Sequence, residues 1–416
     1  VIRSNGFGLE RSRNGEIINY PINSRSVRIL FLALDVDLSS RTGDSTHTRE
    51  LVTSLSRIGN EVALVSYAPE ESLRDVSTLF GGMGVSVHIP QKSGNLPTLR
   101  FCSQLAREFK PDVIYERRFS PKISGTLSKM LSVPSVVEIN AMIEEELKIL
   151  GKEEKGVLGL DKIKRRIRRY FLRSADGIVA VSSGIGAGLV EEYDVNPSKI
   201  HVVHNGANTD LFRPMDRSTC MKRLGLDEKM RYLCFSGSLA PWQGVEDLIP
   251  VLNNLRSEVE NVRLLVVGDG ELMNDLKVKS KELGIQNAVQ FCGYVPYEEV
   301  PYHINSAEIC VAPFNAILRN VKYGFSAIKL YEYMACGMPF VTTSVCGIEE
   351  EIEEKDVGLV VEPDSPKELE TALEELLGNS QKAKEMGKRG RSLAEKEHSW
   401  ISVAKRTTEI LEGVAR

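Results

Sequence analysis

The residues best placed to do chemistry lie in one run, Tyr323–Pro339, which reads Tyr-Gly-Phe-Ser-Ala-Ile-Lys-Leu-Tyr-Glu-Tyr-Met-Ala-Cys-Gly-Met-Pro. Ser326 reads as an N-cap, Gly337 as a helix stop and Pro339 as the opening of the next strand. A helix start presents free backbone amides and the positive end of its dipole, which together suit a diphosphate. Lys329 falls in that first turn, where a cation is unfavourable unless an anion is close. Glu332, one turn further on, has the chemistry to accept hydrogen bonds from paired ribose hydroxyls. On spacing alone, an ordinary amphipathic helix with a solvated Lys and Glu explains the run at least as well.

Other candidates are more scattered. Gly43-Asp44-Ser45-Thr46-His47 is a small-residue loop running into a helix start, the kind of backbone that lets an anion approach. His47 within it fits a catalytic role and a structural one equally. Asp35-Val36-Asp37 matches a metal-binding Asp-x-Asp, yet it also ends a strand, and a solvated loop is the preferred reading, with no metal or cofactor expected. Arg117 and Arg118 would suit a phosphate-bearing acceptor. His201 and His204 read as packing residues, and Trp242 as a loop anchor. Lys162–Arg173 holds seven Lys/Arg with Ile163, Ile167, Tyr170 and Phe171 at helical spacing. A charged helix covering a sheet is the first reading of it, and peripheral contact with an anionic membrane the second.

The elements that must position these residues follow a strand–loop–helix rhythm. Short apolar runs at Val27–Leu34, Glu61–Tyr67, Val85–Ile89, Asp112–Tyr115, Ser135–Glu138 and Gly177–Val181 read as buried strands, with Thr46–Ile58 as a helix between the first two. A second round has strands at Tyr232–Phe235, Arg263–Val267, Ala288–Phe291, Glu308–Val311, Phe340–Thr343 and Gly358–Val361. Helices are expected over Val245–Arg256, Glu271–Leu283 and Ile328–Ala335. Strands alternating with helices imply parallel sheets covered on both faces. The expected organisation is a loose tail over 1–26, Rossmann-like doubly wound domains over 27–205 and 206–396, and a terminal segment over 397–416. Two such domains would bring the carboxyl ends of their strands, where ligands bind, to one cleft.

Composition narrows the class. The 416 residues are too many for one ordinary core, and 42% apolar with 26% charged residues is normal for a soluble globular chain. Residues 1–205 carry 28 Lys+Arg against 24 Asp+Glu, leaving the overall −4 to be set by an acidic second half; nucleic-acid binding needs a stronger basic excess. The seven cysteines contain no Cys-x-x-Cys pair, so buried reduced thiols and a cytoplasmic setting are expected. The first stretch lacks a signal-peptide pattern.

Taken in order, the motifs resemble family 4 retaining glycosyltransferases, which have the GT-B fold. The Tyr323–Pro339 run resembles the family signature of a Glu followed by Ala-Met-Ala and Gly-x-Pro. Val203-His204-Asn205-Gly206-Ala207-Asn208 with Phe212 and Pro214 resembles the family's crossover between domains. Leu264–Gly270, Phe291–Val295 and Ala307–Pro313 resemble the strand and Gly-Asp-Gly turn, the strand beside the base, and the next strand with its turn. The likeness runs from about Val27 to the C-terminus. It implies that Glu332 holds the donor ribose, that Ser326, Ala327, Ile328 and Lys329 receive the diphosphate, that Gly268 and Gly293 lie beside the donor, and that Gly43 and Asp44 close over it. It also implies that the terminal helix after Trp400 crosses back to pack on the first domain.

Three positions depart from the pattern. Gly324 stands where the family has a first Glu, Ser238 and Gln243 where it has Arg and Lys, and Asn140 where it often has an active-site His. A buried diphosphate needs a cation, so Lys329, then Arg319 and Lys322, are expected to replace the missing pair. The catalytic set is therefore Glu332, Lys329, Asn140 and His47. The resemblance implies a metal-independent hexosyl transfer from a UDP- or GDP-sugar to a glycan, lipid or sugar-phosphate acceptor. The departures leave two alternatives: a non-catalytic nucleotide-sugar binding protein, and a nucleotide-sugar epimerase of the same fold.

Overall fold

The computed structural model describes residues 26–40, 42–69, 72, 76, 78, 80–91, 94–142, 160–345 and 347–416. It also gives the backbone of three short strands, β1 (Ile2–Ser4), β2 (Phe7–Arg11) and β3 (Ile17–Pro21). The chain divides into two compact units, Val1–His204 with Trp400–Arg416, and Asn205–Ser399.

The first unit is built on a seven-stranded parallel sheet. Its strands are β4 (Arg28–Asp37), β5 (Glu61–Tyr67), β6 (Val85–His88), β7 (Val113–Arg117), β8 (Ser135–Ile139), β9 (Gly177–Ala180) and β10 (Ile200–Val202). Their order is β10-β9-β8-β7-β4-β5-β6. The central strands are continuous apolar runs because helices cover both faces: Ile29 to Ala33 are fully buried. Winding reverses between β4 and β7, so the residues just past these two strands line the crevice where doubly wound sheets bind ligands. The terminal helix Trp400–Val414 packs on the helix Gly43–Arg57, and Asn60 Nδ2 donates to Thr408 Oγ1 at 2.8 Å.

The second unit repeats the plan with β11 (Arg231–Ser236), β12 (Val262–Val267), β13 (Val289–Gly293), β14 (Ile309–Ala312), β15 (Phe340–Thr343) and β16 (Leu359–Val361), in the order β13-β12-β11-β14-β15-β16. Here the reversal falls between β11 and β14. Two cores flank this sheet. One gathers Phe212, Tyr331, Tyr333 and Phe340, the other Phe235, Leu252 and Leu373.

Two expectations need correcting. The stretch read as a loose tail contains an antiparallel sheet, with Phe7–Arg11 paired to both neighbours. β1 and β2 are separated in sequence by Asn5-Gly6, a dipeptide favoured in two-residue hairpins, and apolar residues recur sparsely on either side of it. Ser326 is not the N-cap of the Ile328–Ala335 helix; Ala327 holds that position without a side-chain cap. The Ser326 hydroxyl instead accepts the Asn205 amide at 2.7 Å, while Asn205 Nδ2 donates to the Ser326 carbonyl at 2.8 Å. A long-range tie has outcompeted the local cap.

Candidate functional site

In the second unit Gln243 and Lys329, from the segments that follow β11 and β14, meet at the switch point. Lys329 is 8% exposed and Glu332 7% exposed, so neither is the solvated side chain of a surface helix. The Lys329 ammonium donates to Gln243 Oε1 at 2.7 Å and lies 3.9 Å from the centroid of the Phe235 ring. Gln243 therefore contributes an amide where the resemblance expected a cation, and that amide holds a cation arriving from the Ile328–Ala335 helix. Burial pushes the Lys329 pKa down to about 7, with Glu332 opposing the shift. Gly237, just past β11, leaves room for this arrangement: a Cβ there would stand 2.7 Å from Lys329 Nζ.

The remaining positions frame that pair. Ser238 is exposed on the loop after β11. Gly268 donates its amide to the Gly293 carbonyl at 2.9 Å, tying together the ends of β12 and β13. Arg319 stacks its guanidinium near both Trp242 and Phe325, with centroid distances of 5.4 and 5.5 Å. Lys322 is exposed beside the Tyr323 ring. Gly324 lies at φ +61°, a conformation that strains a side-chain-bearing residue, so the missing Glu reflects a different local backbone as well as a different side chain. Ser326 is fixed by Asn205, and Ala327 and Ile328 open the helix.

The first unit gathers a different cluster, centred on a residue that was not singled out. Glu138, at the end of β8, is 2% exposed. Tyr115 donates its hydroxyl to Glu138 Oε2 at 2.6 Å, and Asn140 Nδ2 donates to Oε1. His47 Nε2 lies 2.8 Å and Arg117 Nε 3.6 Å from the same Oε1. Burial alone would raise this carboxyl, but His47, Arg117 and Tyr115 outweigh it and hold its pKa at about 2. Arg117 also binds Asp44 Oδ1 at 2.5 Å, joining β7 to the first turn of the Gly43–Arg57 helix. The His47 ring is buried edge-on to Trp400 at 5.1 Å.

An ionised carboxylate can only accept, so it dictates that the Asn140 amide nitrogen faces inward and its Oδ1 faces away. A strand that ends in a buried, ionised Glu looks like any other apolar strand in sequence, which is why Glu138 escaped notice. Gly43 is exposed, and a Cβ there would meet nothing within 4 Å.

Arg118 Nε lies 3.6 Å from Asp35, while Asp37 caps its own turn by accepting from the Ser39 amide and hydroxyl at 2.9 and 2.6 Å. His204 Nδ1 contacts the Val181 carbonyl at 2.9 Å. The six described cysteines are free thiols, and Cys346 lies outside the described residues.

Two doubly wound units, each with polar groups at the carboxyl ends of its strands, define a Rossmann-like architecture. The family follows from comparison with known proteins. The family described as Glycosyltransferase Family 4 matches residues 42–211, and Glycosyl transferases group 1 matches 216–393; the chain belongs to this family of glycosyltransferases. It is 29% identical over 210 residues to a GDP-mannose-dependent alpha-(1-6)-phosphatidylinositol monomannoside mannosyltransferase of Mycobacterium tuberculosis, covering 50% of this chain and 54% of that protein. The chain thus spans about half the length of the curated relatives it matches.

Its fold, GT-B, is shared along nearly the whole chain with solved structures. A Rickettsia africae glycosyltransferase superposes with a TM-score of 0.74 at 16% identity, over 94% of this chain and 99% of that one. Anabaena HepE, solved with UDP-glucose, superposes with a TM-score of 0.73 at 19% identity, over 93% and 100%.

Proposed function

We propose that the chain is a retaining glycosyltransferase that moves a hexose-type sugar from a UDP- or GDP-sugar to a glycan, lipid or sugar-phosphate acceptor. The observation that carries this reading is the buried Lys329 ammonium. Its hydrogen-bond partner is a neutral amide, Gln243, and the attraction of Glu332 does not offset its burial, so a further anion would stabilise it. A nucleoside diphosphate supplies that anion. Glu332, on the same face of the helix one turn on, then meets the ribose, and the helix start at Ala327, Ile328 and Lys329 adds its amides. UDP-glucose in HepE and GDP-mannose in the name of the mannosyltransferase support a donor of this class.

Transfer with retention would proceed by front-side displacement, the departing diphosphate taking the acceptor proton. Catalysis is then positioning and charge stabilisation of the leaving group, supplied by Lys329 and backbone amides without a metal. In the first unit, Asn140 Oδ1 is oriented to accept from a sugar hydroxyl, and half-buried Arg118 suits a phosphate on the acceptor, whereas Arg117, expected beside it, is buried and committed to Asp44 and Glu138. The enzyme would work on the cytoplasmic side, where nucleotide sugars are available, at or near the inner membrane face.

Thermal shift with UDP-, GDP- and ADP-sugars tests this on the wild type and on Glu332→Ala. A ligand at about a hundred times its Kd stabilises by roughly 2.7 kcal/mol. One nucleotide class should shift the wild type and leave Glu332→Ala unmoved. If no nucleotide sugar at millimolar concentration shifts the wild type, the donor assignment fails. A nucleotide sugar remodelled in the absence of any acceptor would show an epimerase instead.

A further inference from the structure

The helix Leu160–Ser174 does not cover the sheet with its apolar stripe. The inward contacts are made by Leu172, which is fully buried, and by Phe171, which packs against Gly125 so closely that a Cβ there would stand 2.5 Å from the Phe171 ring. Ile163, Ile167 and Tyr170, spaced to share one side of the helix, are 55%, 38% and 55% exposed. A surface-covering helix would bury such a stripe.

Cations surround the ridge. The helix holds seven Lys/Arg against a single acidic residue, Asp161. Arg165 is paired to Glu192, and Arg169 and Arg173 to Asp194, while Lys162 and Arg166 stand exposed beside the ridge. The surface continues onto the helix Lys122–Leu131, where Lys129 Nζ contacts the Tyr170 hydroxyl and Met130 is 53% exposed. Met130 in turn forms part of a groove of about 600 Å³ with Leu99, Arg100, Arg107 and one carboxylate, Glu108, of the helix Asn95–Phe109.

We propose that this three-helix face docks on an anionic lipid bilayer, with Ile163, Ile167, Tyr170 and Met130 entering the interface and the surrounding cations meeting lipid phosphates. An exposed apolar stripe on a strongly cationic helix of low overall hydrophobicity is the pattern of helices that lie in the plane of a membrane. The cations complement the negative leaflet surface, and Tyr170 offers an apolar ring with a polar tip for the headgroup level. No described helix is long and apolar enough to cross a membrane, so the contact is peripheral. The surface belongs to the first unit alone and does not depend on what the donor is.

Co-sedimentation of the full chain with vesicles tests the proposal without any substrate. Vesicles of phosphatidylcholine mixed with phosphatidylglycerol should bind the wild type, phosphatidylcholine alone should bind it far less, and added salt should weaken the binding. The triple variant Ile163→Ser, Ile167→Ser, Tyr170→Ser should lose binding with an unchanged melting temperature. Lys162→Gln and Arg166→Gln should each weaken it about five-fold. Failure of the wild type to bind mixed vesicles, or equal binding by the triple variant, overturns the proposal. So does a thiol of Ile163→Cys that resists maleimide without vesicles, because the chain would then cover the ridge itself. Dimerisation abolished by the triple variant would assign the face to a second copy instead. Donor binding, read separately by thermal shift, can succeed or fail independently.

Discussion

The two units each bury a charge near the carboxyl ends of their strands, and the two charges are treated in opposite ways. Glu138 accepts hydrogen bonds from Tyr115 and Asn140, lies within ion-pair distance of His47 and Arg117, and is held ionised, with a pKa of about 2. Lys329 is also buried, yet its hydrogen-bond partner is a neutral amide, the pull of Glu332 does not offset burial, and its pKa has fallen to about 7. Burial penalises both charges, and only the partners differ. A charge that the protein satisfies by itself is part of the framework. One that it leaves under-satisfied is, on the proposed function, the one available to a ligand.

The contrast predicts opposite outcomes for removing each charge, and the largest concerns Lys329. Lys329→Met should cost 10²–10³ in kcat/KM for sugar transfer, about the effect of deleting one group that stabilises a leaving anion. The same change should leave the unliganded protein as stable as the wild type or more so, since a poorly paired buried charge is replaced by an apolar side chain. Steady-state kinetics and thermal melts read the two halves. Loss of stability together with activity would show that Lys329 is framework after all.

Glu138→Gln should do the reverse at first order and destabilise the first unit by about 3 kcal/mol, because it strips the ionic partner from buried Arg117 and His47. Linkage gives the same sign. The folded pKa is depressed, so the stabilisation is complete above the ordinary carboxylate value of 4.5 and is lost as pH falls towards 2. Urea titrations at pH 7 and pH 3 should show the variant's deficit shrinking at the lower pH.

Proton linkage at Lys329 is smaller and sharper. Its folded pKa is lowered, so the unfolded chain binds the extra proton between about 7 and 10.5, and unliganded stability from this group rises across that window. Donor binding has the opposite sign. A diphosphate needs the ammonium, so each pH unit above 7 should weaken nucleotide-sugar affinity by up to about tenfold, with proton uptake on binding. Isothermal calorimetry in buffers of different ionisation enthalpy measures that uptake. A Kd that is flat from pH 6.5 to 8.5, with no proton taken up, would break the assignment.

Much of this fold could be read before any coordinates, and the reasons are local. Glu61–Tyr67, Phe340–Thr343 and Ile328–Ala335 fall where apolar runs and stop signals place them. Ile200–Val202 does not, because a three-residue edge strand has no room to show a pattern. The candidate positions came from spacing and resemblance, and their contacts could not be read from either. Lys329 meets Gln243 across 86 positions, and Asn205 meets Ser326 across 121, and nothing in either local sequence signals its partner. Glu138 shows the same limit from the other side. A strand pattern announces burial, whereas what a buried carboxylate touches depends on three other elements.

Glu116 tests how far partners rather than burial set the charge, and its effect is the smallest. It sits on β7, fully buried like Glu138 on the adjacent strand. Its Oε2 accepts the Ser124 amide at 2.8 Å, and Oε1 has no partner among the described residues. Burial raises its pKa to about 7, against the opposing pull of Ser124 and Arg118. A carboxyl with a raised folded pKa costs stability once the pH exceeds its unfolded value, and the full cost is reached above about 7. Glu116→Gln keeps the shape and removes the charge, so it should be near neutral at pH 5 and stabilising by about 1–2 kcal/mol at pH 8. Urea midpoints at the two pH values measure this. A variant that is destabilised at pH 8 would mean that Glu116 is paired as fully as Glu138, and the distinction between satisfied and unsatisfied buried charges would fail within the first unit itself.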